Sequence, residues 1–203
     1  MYNNKTGKPV NTPKSYGKTI KAAQLGEGIA NFFPVAPPSS TPPHSNSEEE
    51  EKAALGLPYD TLVHVLTAIR DEVRKIRDVY AGLEIRMVGG SILVVYEADW
   101  QRAVEGLKVM GSDKEGKEKR KLNGDVDDDE DDEEEEDEEE EDDDEEDEEG
   151  KPKKIGPPYS VKLIDFAHTI LVPGQGPDEG VLLGMDTVLR LLQARLDEIQ
   201  VSA

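Results

Sequence analysis

The sequence predicts an α+β fold in which helices back a small antiparallel sheet. Two stretches carry apolar residues at steps of three or four, as amphipathic helices do, and two stretches between them show the alternation of strands. Long proline-rich and acidic stretches separate these elements, so only part of the 203 residues is expected to fold. We expect three structured segments, at roughly residues 5–33, 55–110 and 158–203.

The strongest helix pattern begins at Pro58 and ends at Gly82. Proline suits a first helical turn, and glycine commonly follows the last one. The pattern predicts one apolar face, made of Leu62, Val65, Leu66, Ile69, Val73, Ile76 and Val79.

A strand pattern follows in "EIRMVGGSILVVYEAD", interrupted by Gly89 and Gly90. Paired glycines inside a strand indicate a bulge or the close approach of another group to the backbone. The stretch from Asp99 to Val109 fits a short helix less distinctly.

The last segment reads as strand, loop and helix. The strand "SVKLIDF" is expected to place Val161, Leu163 and Asp165 on one face. The glycines and prolines of "VPGQGPDEG" indicate a loop. A closing helix is predicted by the apolar series Met185, Val188, Leu189, Leu192, Leu196 and Ile199.

The charge of the chain is concentrated in one run. The formal net charge is -22, yet residues 127–149 are all Asp or Glu, and with Asp125 they hold 24 of the 46 acids. The other 22 acids nearly balance the 24 Lys and Arg. Such a run cannot bury apolar surface and repels itself, so we expect disordered inserts at 111–157 and, from its prolines and serines, at 34–54.

Composition also excludes several classes of site. The chain has no cysteine, hence no disulfide or thiolate metal site, and no two histidines have zinc-ligand spacing. No apolar run approaches the ~20 residues that span a bilayer, so no transmembrane segment is expected. The glycine-rich loops that cradle nucleotide phosphates are missing from the sequence. We expect an intracellular protein.

Asp165 is the sharpest candidate for chemistry. A carboxylate at the exit of an apolar strand suits Mg²⁺, which takes oxygen ligands from one or two carboxylates, water and phosphates. A strand-end aspartate that caps a turn is the alternative. His168 and Ser91 could face a phosphate, or could be an ordinary turn histidine and strand serine.

Two further groups of charged residues have a simple explanation beside a functional one. Lys14 and Lys18, in "TPKSYGKTIK", could neutralise a polyanionic ligand or be surface lysines. Asp178 and Glu179 fit the acidic start of a helix, where the helix dipole favours them.

Together these segments resemble the inositol polyphosphate kinase family, and within it the fungal multikinases. The similarity lies in "SYGKTI" with "LGEGIANFF", in "VGGSILVVYE", and in "VKLIDFAHT" with "GPDEGVLLGMDTVLRLL". The resemblance implies the C-terminal part of a two-lobed kinase fold. It divides the chain into a substrate-side segment (1–33), a Pro/Ser linker (34–54), a kinase helix and strand (55–110), an acidic insert (111–157) and a metal-binding strand, loop and closing helix (158–203).

The resemblance also implies roles for individual residues. Asp165 would coordinate the Mg²⁺ bound to the ATP phosphates, and His168 would lie against the inositol phosphate. Ser91 matches the second serine of a Ser-Ser-Leu-Leu motif near the phosphates, with Gly90 in place of the first. Lys18, and with it Lys14, would contact substrate phosphates. The catalytic residues implied are therefore Asp165 and His168, with ATP as phosphoryl donor.

The chain departs from the family in one respect. It lacks the motif Pro-x-x-x-Asp-x-Lys-x-Gly and the lysine that holds the ATP phosphates. We therefore expect an N-terminally truncated kinase, inactive as this chain alone.

The expected substrates are inositol polyphosphates and, from the breadth of the family, a phosphoinositide lipid. An alternative function is a catalytically inactive interaction protein, whose acidic insert binds basic proteins of transcription-factor complexes or serves only as a solubilising spacer. Direct nucleic-acid binding is not expected, because the insert repels phosphates. The expected location is nucleus and cytoplasm.

Overall fold

The computed structural model describes residues 1–36, 54–122 and 156–201, with the backbone alone described for 112–122. Most of both predicted inserts, residues 37–53 and 123–155, lies outside the described residues, so their disorder stays a prediction. The order of elements is β1 (Tyr2–Asn3), β2 (Lys8–Pro9), α1 (Lys14–Thr19), α2 (Leu25–Phe32), α3 (Tyr59–Ala81), β3 (Ile85–Met87), β4 (Ser91–Tyr96), α4 (Trp100–Leu122), β5 (Tyr159–Ile164), β6 (Thr169–Leu171) and α5 (Glu179–Val201).

The fold is α+β, as predicted, and its main core lies between α3 and α5. Both helices were predicted from their apolar periodicity. One predicted face residue is wrong: Val79 is 68% exposed, and Tyr80, four residues after Ile76, is buried in its place. The core is formed by Phe33, Leu57, Leu62, Val65, Leu66, Ile69, Val73, Ala103, Leu192, Leu196 and Ile199.

The described strands form three separate antiparallel pairs rather than the one small sheet that was expected. The pair β4–β5 runs from Ser91 opposite Ile164 to Tyr96 opposite Tyr159, and one of its faces packs on the main core. The pair β3–β6 is only three residues long. The sequence analysis did not predict β6.

A second, smaller apolar cluster lies beneath the β3–β6 pair. It consists of Tyr80, Ile85, Met87, Leu182 and Met185. This cluster joins the end of α3, the strand β3 and the first turns of α5, so it determines where β3 and β6 lie relative to the main core.

The helix α4 is longer than the short helix expected from Asp99 to Val109. Asp99 begins it, since its Oδ1 accepts the backbone N–H groups of Gln101 and Arg102 at 2.9 and 3.1 Å. The helix ends at Leu122, so the first residues of the predicted acidic insert belong to it.

The residues on either side of the first insert are joined by a short backbone bridge between Val35 and Leu57, which we call the clasp. Val35 and Leu57 form a parallel bridge, in which the Ala36 N–H donates to the Leu57 carbonyl at 2.8 Å and the Leu57 N–H to the Pro34 carbonyl at 3.2 Å. The insert therefore leaves and rejoins the fold at one point.

The segment that ends α2 is fixed to the core by polar as well as apolar contacts. The Tyr96 hydroxyl donates to the Phe32 carbonyl at 2.7 Å, and its ring stacks on Phe33 with centroids 5.2 Å apart. Burial raises the pKa of Tyr96 to about 12. Arg195 of α5 donates to the Phe33 carbonyl at 2.9 and 3.2 Å. This segment is thereby held against both β4 and α5.

Within the described residues, no helix is both long and apolar enough to cross a membrane.

Candidate active site

The two strand pairs bring three of the five predicted site residues to one place. In β4–β5, Ser91 lies opposite Ile164, the last strand residue before Asp165. In β3–β6, Met87 lies opposite Thr169, and the Val88 N–H donates to the His168 carbonyl at 3.2 Å. The stretches 88–90 and 165–168 therefore face each other between the two pairs, with Ser91, Asp165 and His168 around the gap.

Asp165 has an unusual backbone conformation. Its φ is 69° and its ψ is 51°, which is left-handed, and among the described residues no other non-glycine residue has a positive φ. The expectation that it shares a strand face with Val161 and Leu163 is wrong, because the left-handed turn ends the alternation. A strained, exposed aspartate that caps no helix with its side chain is a common feature of functional sites.

Gly89 and Gly90 allow the chain to pass from one strand pair to the other. Gly89 has a φ of +78°, which favours glycine. A Cβ atom on Gly90 would collide with the side chain of Met87. The close approach expected from the paired glycines is thus confirmed, and it explains why glycine precedes Ser91.

His168 ends a short 3₁₀ helix, Phe166–His168, that begins directly after Asp165. Its side chain is exposed, while its carbonyl is held by Val88. The three-residue helix brings both Asp165 and His168 to the same gap, although the chain has already turned away from β5.

Lys14 and Lys18 lie one turn apart on α1, and both are exposed. In the described part of the chain, no hydrogen bond or ion pair joins either lysine to Ser91, Asp165 or His168. Beside α1 is an open apolar groove of about 690 Å³, lined by Tyr16 and Gly17 and, across from them, by residues of α5 such as Leu183. Lys14 lines a different open groove, together with residues such as Val10 and Phe32, and neither groove is lined by Ser91, Asp165 or His168.

The donor set around Asp165 fits a cation that brings its own ligands. No group of three or more metal-ligating side chains occurs among the described residues. One carboxylate suits Mg²⁺, which retains waters and takes its other ligands from substrate phosphates. The same set would not suit a structural zinc ion, which needs four protein ligands.

Sequence reasoning missed a group of polar contacts that holds the loop 172–178. Glu84, just before β3, accepts the N–H groups of Gly174 and Gly176 at 2.7 and 3.2 Å. Arg86 donates to the carbonyls of Gly176 and Gln175 at 2.9 and 3.1 Å. The positive φ angles of the two glycines are what turn both N–H groups toward one carboxylate. Glycines at alternate positions in "GQGPD" were the available signal.

Asp178 acts at the start of α5, as its alternative interpretation predicted. Its Oδ1 accepts the N–H groups of Gly180 and Val181 at 3.1 and 3.3 Å, and its Oδ2 accepts the Met87 N–H at 3.2 Å. Burial acts to raise the pKa of the Asp178 carboxyl, but these three hydrogen bonds and the Arg86 charge together hold that pKa below its ordinary value.

The fold is an α+β domain in which the stretches that carry Asp165 and His168 lie beside Ser91, the first residue of β4. The model of the inositol polyphosphate kinase family matches residues 1–193, and the chain belongs to this family. The resemblance of the motifs is thereby confirmed.

Two relatives from Saccharomyces cerevisiae are similar to this chain. An inositol polyphosphate multikinase is 44% identical over 110 residues, which cover 52% of this chain and 28% of the relative. A crystal structure of inositol phosphate multikinase in complex with ADP and Mn²⁺ has a TM-score of 0.47 and 21% identity, and covers 90% of this chain and 50% of that one. The chain thus spans between about a quarter and a half of the length of these relatives.

Proposed function

We propose that this protein acts in the transfer of the γ-phosphoryl group of ATP to a hydroxyl of an inositol polyphosphate. Membership of the inositol polyphosphate kinase family over residues 1–193 carries the proposal. The convergence of Ser91, Asp165 and His168 on one gap supports it, because phosphoryl transfer depends on positioning and charge neutralisation rather than on covalent chemistry.

Asp165 would hold a divalent cation, Mg²⁺ in the cell, against the ATP phosphates. Bound there, the cation would neutralise charge on the phosphates. The left-handed backbone of Asp165, whose side chain makes no helix-capping hydrogen bond, supports this role. The yeast multikinase structure in complex with ADP and Mn²⁺ supports a nucleotide and a divalent cation as ligands.

The other candidate residues would bind phosphate groups. Ser91, the first residue of β4, could donate its O–H to a phosphate oxygen, and His168 could donate a ring N–H to another. Lys14 and Lys18 would offset substrate charge as point charges on α1. With these roles, the nucleotide would lie beside the strands and the inositol phosphate would extend from His168 toward α1.

The name of the yeast relative, a multikinase, supports more than one inositol polyphosphate as substrate. A phosphatidylinositol bisphosphate is a further proposed acceptor, because its head group presents the same chemistry. We also propose that the protein acts in nucleus and cytoplasm.

A second function follows from the acidic run at 127–149. Twenty-three consecutive acids form a polyanion that would attract basic proteins, with strong dependence on salt. Deleting residues 125–149 tests this: binding of a histone-like basic protein should fall while phosphoryl transfer is unchanged. If basic protein binds equally well after the deletion, the run is only a spacer.

The substitution Asp165→Asn tests the kinase proposal. The native protein is incubated with ATP, Mg²⁺ and a panel of inositol tris- to pentakisphosphates, and Asp165→Asn should lower the rate at least about a hundredfold. Asp78→Asn is the matched control, since this exposed α3 carboxylate is paired with Arg77 at 3.5 Å. Absence of transfer would refute catalysis by this chain alone and would favour the alternative of a catalytically inactive interaction protein. Full activity of Asp165→Asn would refute the metal-ligand role.

A further inference from the structure

We propose that Glu84 is a positioning residue that acts on His168 through the β3–β6 strand pair. This pair carries one side of the candidate active site, yet it has only three residue pairs. A two-stranded ribbon of that length is not stable by itself in water. Something other than its own ladder must therefore hold it.

Apolar burial supports only one strand of the pair. Ile85 and Met87 of β3 are 8% and 6% exposed, but Ile170 and Leu171 of β6 are 62% and 80% exposed. Thus β6, the strand that follows His168 directly, contributes little apolar surface to the core. Its position depends on its pairing with β3 and on the loop that follows it.

That loop is fixed by Glu84. The side chain accepts the N–H groups of Gly174 and Gly176, and the Glu84 carbonyl accepts the Val172 N–H at 2.8 Å. One residue thus makes three hydrogen bonds to the five residues that follow β6. Hydrogen bonds to a charged group are generally stronger than those of a neutral backbone pair.

Two further side chains hold the ribbon and its loop: Arg86 binds the loop, and Asp178 binds β3. Arg86 donates to the carbonyls of Gln175 and Gly176, so the loop is bound through both its donors and its acceptors. In an antiparallel pair every second N–H of a strand points away from its partner. Asp178 takes the outward N–H of Met87 and thereby ties β3 to the start of α5.

The far end of the ribbon is therefore bound at Glu84, and the near end contains the candidate site. From Glu84 opposite Val172, the ladder continues through Met87 opposite Thr169 to the Val88 N–H on the His168 carbonyl. Only three residue pairs separate Glu84 from His168, so a loss of the Glu84 hydrogen bonds should affect the position of His168. The buried residues of the main core come from α3, α4 and α5 with Phe33 and Leu57, and none of them belongs to this ribbon.

The test is amide hydrogen exchange of Val88, followed by NMR in the whole chain. Glu84→Ala removes both side-chain acceptors and should speed exchange at Val88 and Val172 by at least about tenfold, while amides in the middle of α3 keep their rates. Glu84→Gln retains one carbonyl oxygen and should give an intermediate rate. Glu72→Ala, which removes an exposed partner of Lys75 at 2.6 Å, is the control and should change neither amide.

Two results would overturn the proposal. One is an unchanged Val88 rate in Glu84→Ala. The other is equal acceleration in the middle of α3, in Glu84→Ala and Glu84→Gln alike, because Glu84 would then stabilise the whole fold rather than the ribbon.

The catalytic consequence rests on the proposed function. In an active preparation, Glu84→Ala should raise the KM for inositol polyphosphate at least about threefold and leave the KM for ATP unchanged, since His168 lies on the substrate side. If Val88 exchange accelerates but no phosphoryl transfer is ever detected, the positioning role stands and the proposed function fails. If both KM values rise equally, Glu84 acts on the whole gap and not through His168.

Discussion

The two strand pairs beside the candidate active site are held in different ways. The pair β4–β5 has six residue pairs, and Ile92, Val94 and Tyr96 on one of its faces pack against the main core. The pair β3–β6 has three, and the loop that follows it is held by Glu84 and Arg86. The first pair is stabilised by apolar burial of both its strands, and the second by apolar burial of β3 together with polar contacts to the loop after β6.

Because of this difference, we expect the two sides of the gap, at Asp165 and at His168, to differ in rigidity. Asp165 follows the longer pair directly, so the candidate metal ligand is attached to the more rigid side. His168 precedes the short pair and depends on hydrogen bonds that water can compete for. Regions with few buried apolar contacts open at lower free energy than cores do. We therefore expect the His168 side of the gap to be the more mobile one.

The largest effect on stability should come from the support beneath β4–β5. Ile69 is fully buried in the main core, so Ile69→Ala should lower the free energy of unfolding by about 2–5 kcal/mol, through lost burial and the cavity left behind. Urea denaturation measures the change. Val79→Ala on the same helix is the control and should change it by less than about 0.5 kcal/mol. Equal costs at the two positions would show that α3 does not pack as described.

A smaller effect should follow from crowding the connection between the two pairs. Gly90→Ala would push a methyl group into Met87, which typically costs about 1–3 kcal/mol. In a Met87→Ala background the same change should cost much less, and a double-mutant cycle by urea denaturation measures the coupling. Gly26→Ala in α2, where a methyl group meets nothing within 4 Å, should not destabilise. Additive costs for Gly90 and Met87 would contradict the contact.

Asp178 should matter less, and in a way that depends on pH. Replacing it with alanine removes the helix cap and the bond to Met87, at a cost of about 0.5–2 kcal/mol. Because the folded-state pKa of this carboxyl is lowered, its contribution is present above the ordinary value of 3.8 and is lost as the pH falls through the lower value. The free energies of unfolding of the wild type and of Asp178→Ala should therefore become equal in strong acid, as urea denaturation at each pH would show. If the difference in free energy of unfolding stays constant down to the lowest pH, the charge of Asp178 does not contribute to stability.

The smallest effect should come from Tyr96, the last residue of β4. Tyr96→Phe removes one hydrogen bond to Phe32 and should cost about 0.5–1.5 kcal/mol at neutral pH. Burial raises the pKa of Tyr96 from 10.0 to about 12 in the folded protein. The stabilising effect is thus complete below pH 10 and is lost as the pH rises through 12. Thermal unfolding measured between pH 10 and pH 12 should show that the stability of the wild type falls more steeply with pH than that of Tyr96→Phe.

The sequence was sufficient to predict the elements that bury apolar side chains. The helices α3 and α5 and the strands β4 and β5 follow from periodicity, and the break at Gly89 and Gly90 follows from glycine chemistry. Three candidate site residues, Ser91, Asp165 and His168, do lie around one gap. Periodicity is informative here because burial repeats with the geometry of the element.

The parts that could not be predicted depend on contacts between residues far apart in the chain. Glu84 binds glycines about ninety positions later, and β6 forms only because β3 offers it an edge. The left-handed turn at Asp165 is likewise invisible in a pattern that continues smoothly through "KLIDF". No local preference encodes such features, because tertiary contacts select them.

The clasp between Val35 and Leu57 should allow another sequence to be inserted between them without disturbing the fold. The two backbone segments at Val35 and Leu57 are already joined by the Ala36 and Leu57 hydrogen bonds, so the residues between 37 and 53 need not hold them together. Doubling the length of a closed loop costs only about 0.6 kcal/mol. A fluorescent reporter with adjacent ends could therefore be spliced in at this point, and related lineages could lengthen or shorten the loop without moving α3.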